Sequence, residues 1–232
     1  TQENIPLIRG MTSTYGLSYV PGTWIESIQI IKGAGSVVNG FESFAGQINL
    51  EYYKPKTAPK LFWNAYTNSE GKLENNLLFA KKSGKWTSNL FTHISYFDRK
   101  VDNNKDGFLD MPKTKQINVL NRWDYASAKY HIGLTGRALV EDRIGGKESA
   151  TNPFEVNIHN DLIEFTSKTG AILPSTPGKS MGLQTSFRRH NQTAIFGNNN
   201  YKGLQESAYF NFIRQTYIAT TNHKLKYGIR NC

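Results

Sequence analysis

The stretch from Val20 to Pro55 reads VPGTWIESIQIIKGAGSVVNGFESFAGQINLEYYKP and organises the first quarter of the chain. The isoleucine-rich run from Ile25 to Ile31 predicts a strand, and Gly33 and Gly35 end it, because glycine suits tight turns with positive φ. A second strand is predicted over Phe44–Leu50. The stretch therefore predicts a pair of strands joined by a glycine-rich loop.

From Pro59 onward the sequence predicts about nine strands rich in polar and aromatic residues. Several of these runs reach the roughly 9–11 residues that a tilted strand needs to cross a bilayer, whereas strands of globular proteins are usually about 5–6 residues long. The predicted strands are Leu61–Asn68, Leu73–Lys82, Trp86–Arg99, Gln116–Tyr125, Lys129–Glu141, Asp161–Leu173, Met181–Phe196, Leu204–Ile218 and Lys224–Ile229.

The run that ends at Glu141 shows the clearest alternation with a period of two residues. One predicted face carries Tyr130, Ile132, Leu134, Gly136, Ala138 and Val140, and the other carries His131, Gly133, Thr135, Arg137, Leu139 and Glu141. An apolar and a polar face on one strand is typical of a membrane barrel. A half-buried sheet of a soluble protein gives the same pattern.

Short turns and longer loops alternate between the predicted strands, which places the two kinds of connection at opposite ends of a sheet. The predicted short turns are Ser83–Lys85, Ala126–Ala128, Pro174–Lys179 and Thr220–His223. The predicted loops are Lys100–Lys115, Asp142–His159 and Gly197–Gly203. Aromatic residues cluster near the short-turn end, as at a membrane interface: Trp63, Trp86, Trp123, Tyr125, Tyr130 and Tyr217.

Composition and motifs argue against several classes of protein. The formal net charge is +10, but the basic residues are spread along the chain, so no nucleic-acid partner is expected. No apolar run approaches the roughly 20 residues of a transmembrane helix. A single cysteine gives no disulfide framework. The histidines are isolated and no nucleophile motif occurs, so we expect no enzyme activity.

One loop resembles the first half of a calcium-binding loop. Asp102, Asn104, Asp106 and Asp110 supply oxygen atoms at suitable spacing around Gly107. Lys113 stands where an EF-hand needs a bidentate glutamate, so an EF-hand is excluded. The loop is either a calcium-stabilised outer loop or a turn in which Asp and Asn side chains cap their own backbone.

The stretch Val20–Pro55 resembles the C-terminal part of the plug domain of TonB-dependent outer-membrane receptors, of the Bacteroidetes type. Both have a proline-led strand, a Lys-Gly step, a Ser/Gly-rich turn and a Gly-Gln-Ile-Asn strand that leads into the barrel. The resemblance implies a mainly β fold. Residues 1–54 would be the C-terminal part of the plug domain, and residues 55–232 the first antiparallel strands of an incomplete transmembrane β-barrel.

The resemblance also implies a function in the cell outer membrane. Such a receptor takes up a scarce ligand such as a ferric siderophore, cobalamin, another metal complex or a glycan, and TonB with its inner-membrane partners supplies the energy. No cofactor is required beyond a structural calcium at Asp102–Asp110. Ligand-facing residues would lie before the Val20-Pro21 step, at Arg9, Tyr15 and Tyr19.

The two ends of the sequence lead to an expectation about its length. Thr1 is preceded by no methionine or leader, and the chain stops just after a strand-like run, so we expect a piece of a longer protein. A soluble or secreted β-sandwich that binds carbohydrate is the alternative. A passive porin fits less well, because it has no plug.

Overall fold

The computed structural model describes residues 1–35, 44–147, 153–173 and 178–231. In this part of the chain the fold is mainly β, with all strand pairs antiparallel, as the sequence predicts. Two short 3-10 turns, Gly10–Ser13 and Gly22–Trp24, precede the first strand. None of the described helical segments is long and apolar enough to cross a membrane.

The N-terminal region (residues 1–54) contains a two-stranded sheet of β1 (Ile25–Lys32) and β2 (Gly46–Tyr52). Both predicted strands are confirmed, although β2 begins two residues later than expected. Gly46 has φ 140° and a Cβ there would lie 2.9 Å from the Ile31 carbonyl oxygen, so a side chain does not fit at this position. Gly40, a further glycine of the predicted loop between these two strands, lies outside the described residues.

The other nine strands form one sheet in sequence order, called the wall sheet below. All nine predicted strands are confirmed. They are β3 (Leu61–Thr67), β4 (Leu73–Ser83), β5 (Trp86–Phe97), β6 (Lys113–Ala126), β7 (Tyr130–Lys147), β8 (Phe154–Ile172), β9 (Ser180–Phe196), β10 (Asn199–Ile218) and β11 (Thr220–Asn231). β3 and β11 lie at opposite edges, so the described strands form an open sheet and not a closed barrel.

The short turns after Ser83 and Ala126 are confirmed, but the strands continue through regions predicted as loops. The loop predicted over Asp142–His159 is wrong, because β7 runs on to Lys147 and β8 begins at Phe154. The loop predicted over Gly197–Gly203 is also wrong, since β10 begins at Asn199 after a tight turn.

Smaller differences concern the other connections. The loop predicted over Lys100–Lys115 is shorter, because β6 begins at Lys113. The turn predicted over Thr220–His223 is wrong, since the reversal occurs at Ala219, with φ 58°, and β11 begins at Thr220. In the turn predicted over Pro174–Lys179, residues 174–177 lie outside the described part. In each error, polar and glycine-rich sequence suggested a loop where the strands still pair.

The N-terminal region packs on one face of the wall sheet, called the covered face; the opposite face is the outer face. The alternation predicted for β7 is confirmed: Arg137, Leu139 and Glu141 are buried on the covered face. On the outer face of β6, Ile117 and Trp123 are 56% and 42% exposed, while Asn118 beside them is fully buried. The wall sheet thus buries many polar side chains and exposes apolar ones.

The same inversion extends across the sheet. Polar or charged side chains buried on the covered face include Asn76, Asn89, His93, Gln116, Asn118, Arg122, Arg137, Glu141, Asn160, Glu164, Arg188 and His190. Large apolar side chains exposed on the outer face include Trp63, Phe79, Trp86, Ile94, Ile117, Trp123, Val140, Ile163, Phe165, Phe187 and Phe210. This arrangement is opposite to that of a water-soluble sheet.

Candidate functional site

The interface between the N-terminal region and the covered face is the candidate site, and an aromatic cluster forms one half of it. Trp24 packs edge-on against Tyr52, with ring centroids 5.9 Å apart, and lies 5.5 Å from Phe91 of β5. Leu78 and Leu120 complete the cluster. Burial raises the pKa of Tyr52 to about 12, so this phenol stays neutral. Burying each large side chain stabilises the interface by roughly 1.5–3 kcal/mol.

Side chains of the covered face also donate hydrogen bonds to main-chain carbonyl groups of the N-terminal region. The Tyr19 carbonyl accepts hydrogen bonds from Asn118 Nδ2, at 2.9 Å, and from the Arg137 guanidinium. The Leu7 carbonyl accepts one from Arg188 Nη1 at 2.5 Å. Two further bonds of this kind run from Asn89 to Tyr53 and from Gln116 to Ser18. These bonds satisfy buried donors that would otherwise destabilise the fold.

A ladder of polar side chains runs across the covered face from β6 to β9. The Glu141 carboxylate, fully buried, accepts hydrogen bonds from Gln116 Nε2 at 2.8 Å and from Arg143 at 2.7 Å. Asn160 Nδ2 lies 3.4 Å from the second Glu141 oxygen, and Asn160 Oδ1 contacts His190 Nε2 at 3.1 Å. A connected network of this kind holds side chains in fixed positions.

Glu3 forms the most highly charged contact of the interface. Its carboxylate pairs with Arg122 of β6 and, at 3.1 Å, with Lys168 Nζ of β8. Lys168 also donates to the Glu3 carbonyl, and Arg122 Nε lies 3.1 Å from Asp124. Burial alone would raise the pKa of Glu3, but the two cations outweigh it and hold that pKa below its usual range. Glu3 is therefore ionised at neutral pH.

The three predicted ligand-facing residues lie in three different environments. Arg9 lines a cavity of about 160 Å³ together with Arg188. The Arg143 guanidinium lies over the Tyr15 ring, with its Cζ atom 4.3 Å from the ring centroid. Tyr19 is only 2% exposed and packs on Leu139, and burial, with Glu141 nearby, raises its pKa above the usual range. Ligand contact by these residues stays a prediction, and Tyr19 would have to move to make it.

A larger cavity opens between Ser18–Gly22 and strands β4–β7. It measures about 360 Å³ and is lined by charged and polar side chains that include Glu74, His93, Glu141 and Arg143. Tyr15 reaches the rim of this cavity through its contact with Arg143. The sequence did not indicate this cavity, because its wall residues come from four different strands. Its lining suits a polar ligand that both donates and accepts hydrogen bonds.

The calcium-like loop uses its oxygen atoms on its own backbone. The Asp102 carboxylate accepts from the amides of Asp106, at 3.2 Å, and Gly107, at 3.0 Å. Asp110 accepts from the Asn103 amide at 2.8 Å, and Asn104 from the Asp106 amide at 3.2 Å. These are the contacts that the capped-turn alternative predicts. Among the described residues no cluster of three His, Cys, Asp or Glu side chains could hold a metal ion.

The residues that hold the interface together were missed by sequence analysis. Glu3 is separated by 119 residues from Arg122 and by 165 from Lys168, so no local pattern connects them. The one available signal was the alternation in β7, which placed Arg137 and Glu141 on the polar face. Polar residues at covered positions of the other strands could have been found by extending that alternation across the sheet.

Comparison with known proteins adds no family assignment. The chain matches no known protein-family model, and no curated protein gives a significant match. The interpretation of the site therefore depends on its geometry and on the residues of the chain itself.

Proposed function

We propose that this chain is a section of a TonB-dependent outer-membrane receptor, with residues 1–54 as the last part of the plug and residues 55–232 as the first strands of the barrel. The inverted wall sheet is the observation that carries the proposal. A membrane barrel turns apolar side chains toward lipid and encloses polar ones. The wall sheet does the same, with its polar face against the N-terminal region.

The outer face carries an uncharged belt of the right height for a bilayer. On four neighbouring strands, the outward side chains are uncharged over Trp86–Tyr96, Ile117–Tyr125, Tyr130–Val140 and Ile163–Ala171. A tilted strand needs about 9–11 residues to cross the hydrocarbon region, which matches these lengths. We call these outward residues, which include Ser88, Thr92, Asn121, Ser167 and Thr169 among apolar and aromatic side chains, the uncharged belt.

The charged border of the belt slants across the strands. The first charged outward residue beyond the belt is Arg189 on β9, Asp161 on β8, Asp142 on β7, Lys115 on β6 and Asp98 after β5. From β9 to β5 this border shifts by about 20 Å along the strand direction, at about 3.3 Å per residue. Over the same strands it crosses about 19 Å of sheet, at about 4.8 Å between neighbouring strands. The slope is about 45°, close to the roughly 35–45° tilt of strands in membrane barrels.

The opposite border slants in the same sense. Lys81 on β4 is level with Phe210 on β10, through the paired strands between them, but the first charged outward residue of β10 is Arg214, further along the strand. Two borders that slant in the same sense define a band tilted against the strands. Leu204 and Ile195 lie beyond the first of these two borders, the one that passes through Arg189, as isolated apolar residues.

Aromatic residues mark the short-turn border. Trp86 and Tyr125 face each other on β5 and β6, with ring centroids 5.1 Å apart, and Trp123 and Tyr130 lie on the same outer face nearby. Aromatic rings prefer this position at a membrane interface. Of the other two residues expected there, Trp63 lies level with Leu77 and so further from the short turns, and Tyr217 lies on the covered side of β10.

In this proposal the N-terminal region closes the space inside the barrel, and the cavity beside Ser18–Gly22 faces arriving ligand. The ligand is a scarce metal complex, such as a ferric siderophore or cobalamin, or a glycan. TonB and its inner-membrane partners move the plug. The resemblance of Val20–Pro55 to plug sequences and the packing of this stretch on the polar face support the assignment.

The four tryptophans allow a direct test, because they lie on opposite faces of the sheet. Trp24 is 1% exposed on the covered side, whereas Trp63, Trp86 and Trp123 are 65%, 47% and 42% exposed on the outer face. Four variants, each with one tryptophan and the other three changed to phenylalanine, are incorporated into vesicles with brominated acyl chains. We expect quenching of the three outer tryptophans and none of Trp24.

The result decides between membrane and soluble alternatives. Equal fluorescence of all four tryptophans in brominated and ordinary vesicles, with a folded protein that needs no detergent, would contradict the proposal. That outcome favours the soluble β-sandwich, in which other protein surface covers the apolar face. Membrane fractionation of the full-length protein, with heat-modifiable gel migration, gives an independent check.

A further inference from the structure

Two cations from non-adjacent strands converge on Glu3, the only carboxylate that the segment Thr1–Ile5 supplies. Arg122 has a second acidic partner, Asp124, at 3.1 Å. Lys168 Nζ has its hydrogen bonds to the Glu3 carboxylate and the Glu3 carbonyl. Nearby Glu164 is engaged by Arg188 at 2.8 Å. Lys168 therefore depends on Glu3 for a counter-charge.

Movement of Thr1–Ile5 away from the wall would leave Lys168 without that counter-charge. A buried or half-buried cation without a partner is unfavourable, and an anion that takes the place of the carboxylate removes the penalty. The position vacated by Glu3 would thus be selective for negative charge. Arg122 adds a guanidinium that suits planar carboxylate or tetrahedral phosphate groups.

The space around this site continues along the covered face. A cleft of about 30 Å³ beneath Gln2–Ile5 is lined by Arg122, His131 and Lys168, and also by Glu164, whose charge is paired with Arg188. His131 also lines a cavity of about 520 Å³ at the short-turn end of β7–β11, which contains Lys129 and Lys226. No acidic residue is found among the described residues that line this larger cavity. The two spaces share His131 in their lining, with Arg122 and Lys168 on one side of it and Lys129 and Lys226 on the other.

We infer that Arg122 and Lys168 form an anion site on the inner wall, which the Glu3 carboxylate occupies in this closed arrangement. The inference rests on the proposed function, in which the N-terminal region moves to open a passage. It names the substrate class: a solute that carries carboxylate or phosphate groups. Such a solute replaces Glu3 and holds the passage open along β7–β11.

The first experiment removes the competing carboxylate. Citrate and pyrophosphate serve as the carboxylate and phosphate probes, and binding to the purified full chain in detergent is measured by calorimetry at constant ionic strength with chloride. In E3Q a neutral amide replaces the competing carboxylate, so we expect at least about tenfold tighter binding than in the wild type. E206Q, which removes an outer-face carboxylate 3.8 Å from Arg189, is the matched control and should bind like the wild type.

A second measurement needs no change at Glu3. The Glu3 amide donates to the Leu50 carbonyl at 2.9 Å, and its hydrogen exchange reports release of the segment. Either probe should speed this exchange in the wild type, and K168Q should abolish the dependence on the probe. The inference is overturned if folded E3Q binds neither probe more tightly than the wild type, or if the exchange rate ignores both probes. Neither readout depends on lipid, so failure here is distinct from failure of the tryptophan test.

Discussion

The two halves of the N-terminal region are attached to the wall sheet in different ways. Residues 20–54 bring Trp24 and Tyr52 against apolar side chains of β4–β6. Residues 1–19 are held mainly by charged side chains and carbonyl bonds on β6–β9. Apolar packing depends little on pH or salt, whereas charged contacts depend on both. The halves are therefore expected to separate from the wall under different conditions.

The largest effect is expected from breaking the apolar half. Trp24→Ala removes the centre of the aromatic cluster and should lower the free energy of unfolding by about 3–5 kcal/mol, as for other large-to-small core changes. Denaturant unfolding in detergent micelles measures it. Trp63→Ala, on the outer face, is the control and should cost less than about 1 kcal/mol there. Equal losses in both variants would contradict the assignment of Trp24 to the core.

A smaller effect is expected from breaking one anchor of the polar half. Arg137→Ala removes a charged hydrogen bond to the Tyr19 carbonyl and the guanidinium that lies 6.0 Å from the Trp24 ring centroid. Because Asn118 still donates to that carbonyl, we expect a loss of about 1.5–3 kcal/mol.

The matched control for this anchor is Arg189→Ala. Arg189 is exposed on the outer face, with Glu206 3.8 Å away, and its loss should change stability by no more than about 0.5 kcal/mol. Hydrogen exchange of amides in residues 7–19 should increase in Arg137→Ala and stay unchanged in Arg189→Ala. Unchanged exchange in both would mean that the carbonyl contacts do not hold this half.

Acid should loosen the polar half while the aromatic cluster stays in place. The pKa of Glu3 is lowered in the folded protein, so its contribution is present above the unfolded pKa of about 4.5 and is lost as pH falls through the folded value. We expect a cost of about 1 kcal/mol, seen as a lower protection factor of the Glu3 amide at low pH once the slower intrinsic exchange in acid is taken into account. The charged or titratable groups around Glu3 include Glu51, Tyr52, Lys54, Arg122, Asp124, His131, Glu164 and Lys168.

Glu3→Gln separates Glu3 from the other acids that titrate nearby. At neutral pH the Glu3 amide position of this variant should show the protection factor that the wild type shows in acid, and that protection factor should depend less on pH. Trp24 fluorescence, which reports the apolar half, should stay constant over the same range. A simultaneous change of both signals would show that the two halves are released together.

The smallest effect is expected in the loop at Asp102–Asp110, whose side-chain hydrogen bonds stay within the loop. Asp102→Ala removes the acceptor for two backbone amides and should cost about 1 kcal/mol, whereas Asn103→Ala, with an exposed side chain, should be neutral. Addition of millimolar calcium tests whether this loop binds calcium or is a turn capped by its own side chains. A rise of the wild-type melting temperature that Asp102→Ala abolishes supports the calcium loop, and no rise supports the capped turn.

Much of the fold could be predicted from the sequence, because alternation with a period of two appears directly in runs such as Tyr130–Val140. The ends of β7, β8 and β10 that lie farthest from the short turns could not be predicted in this way. There the outward residues are polar, as with Asp142 and His159, so strand and loop sequences look alike. Pairing with the neighbouring strand, a non-local interaction, decides the structure.

The candidate site was harder to predict than the fold. Positions such as Arg137 follow from extending the alternation, but the partner of each side chain does not. Glu3 meets Lys168 only because the N-terminal region crosses the sheet at β6–β8, and its crossing point depends on the aromatic cluster far along the chain. The contact is a result of tertiary packing that no local pattern encodes.

The hydrogen bonds from the wall sheet to main-chain carbonyl groups affect how freely the N-terminal region and the wall sheet can each change in evolution. Asn118, Arg137 and Arg188 recognise a carbonyl oxygen that every amino acid carries. Replacing Leu7 or Tyr19 leaves that oxygen in place, whereas replacing the wall residue removes the donor. These hydrogen bonds therefore constrain the wall residues and not the identity of the N-terminal residues, and burial of the Leu7 and Tyr19 side chains constrains those two positions separately.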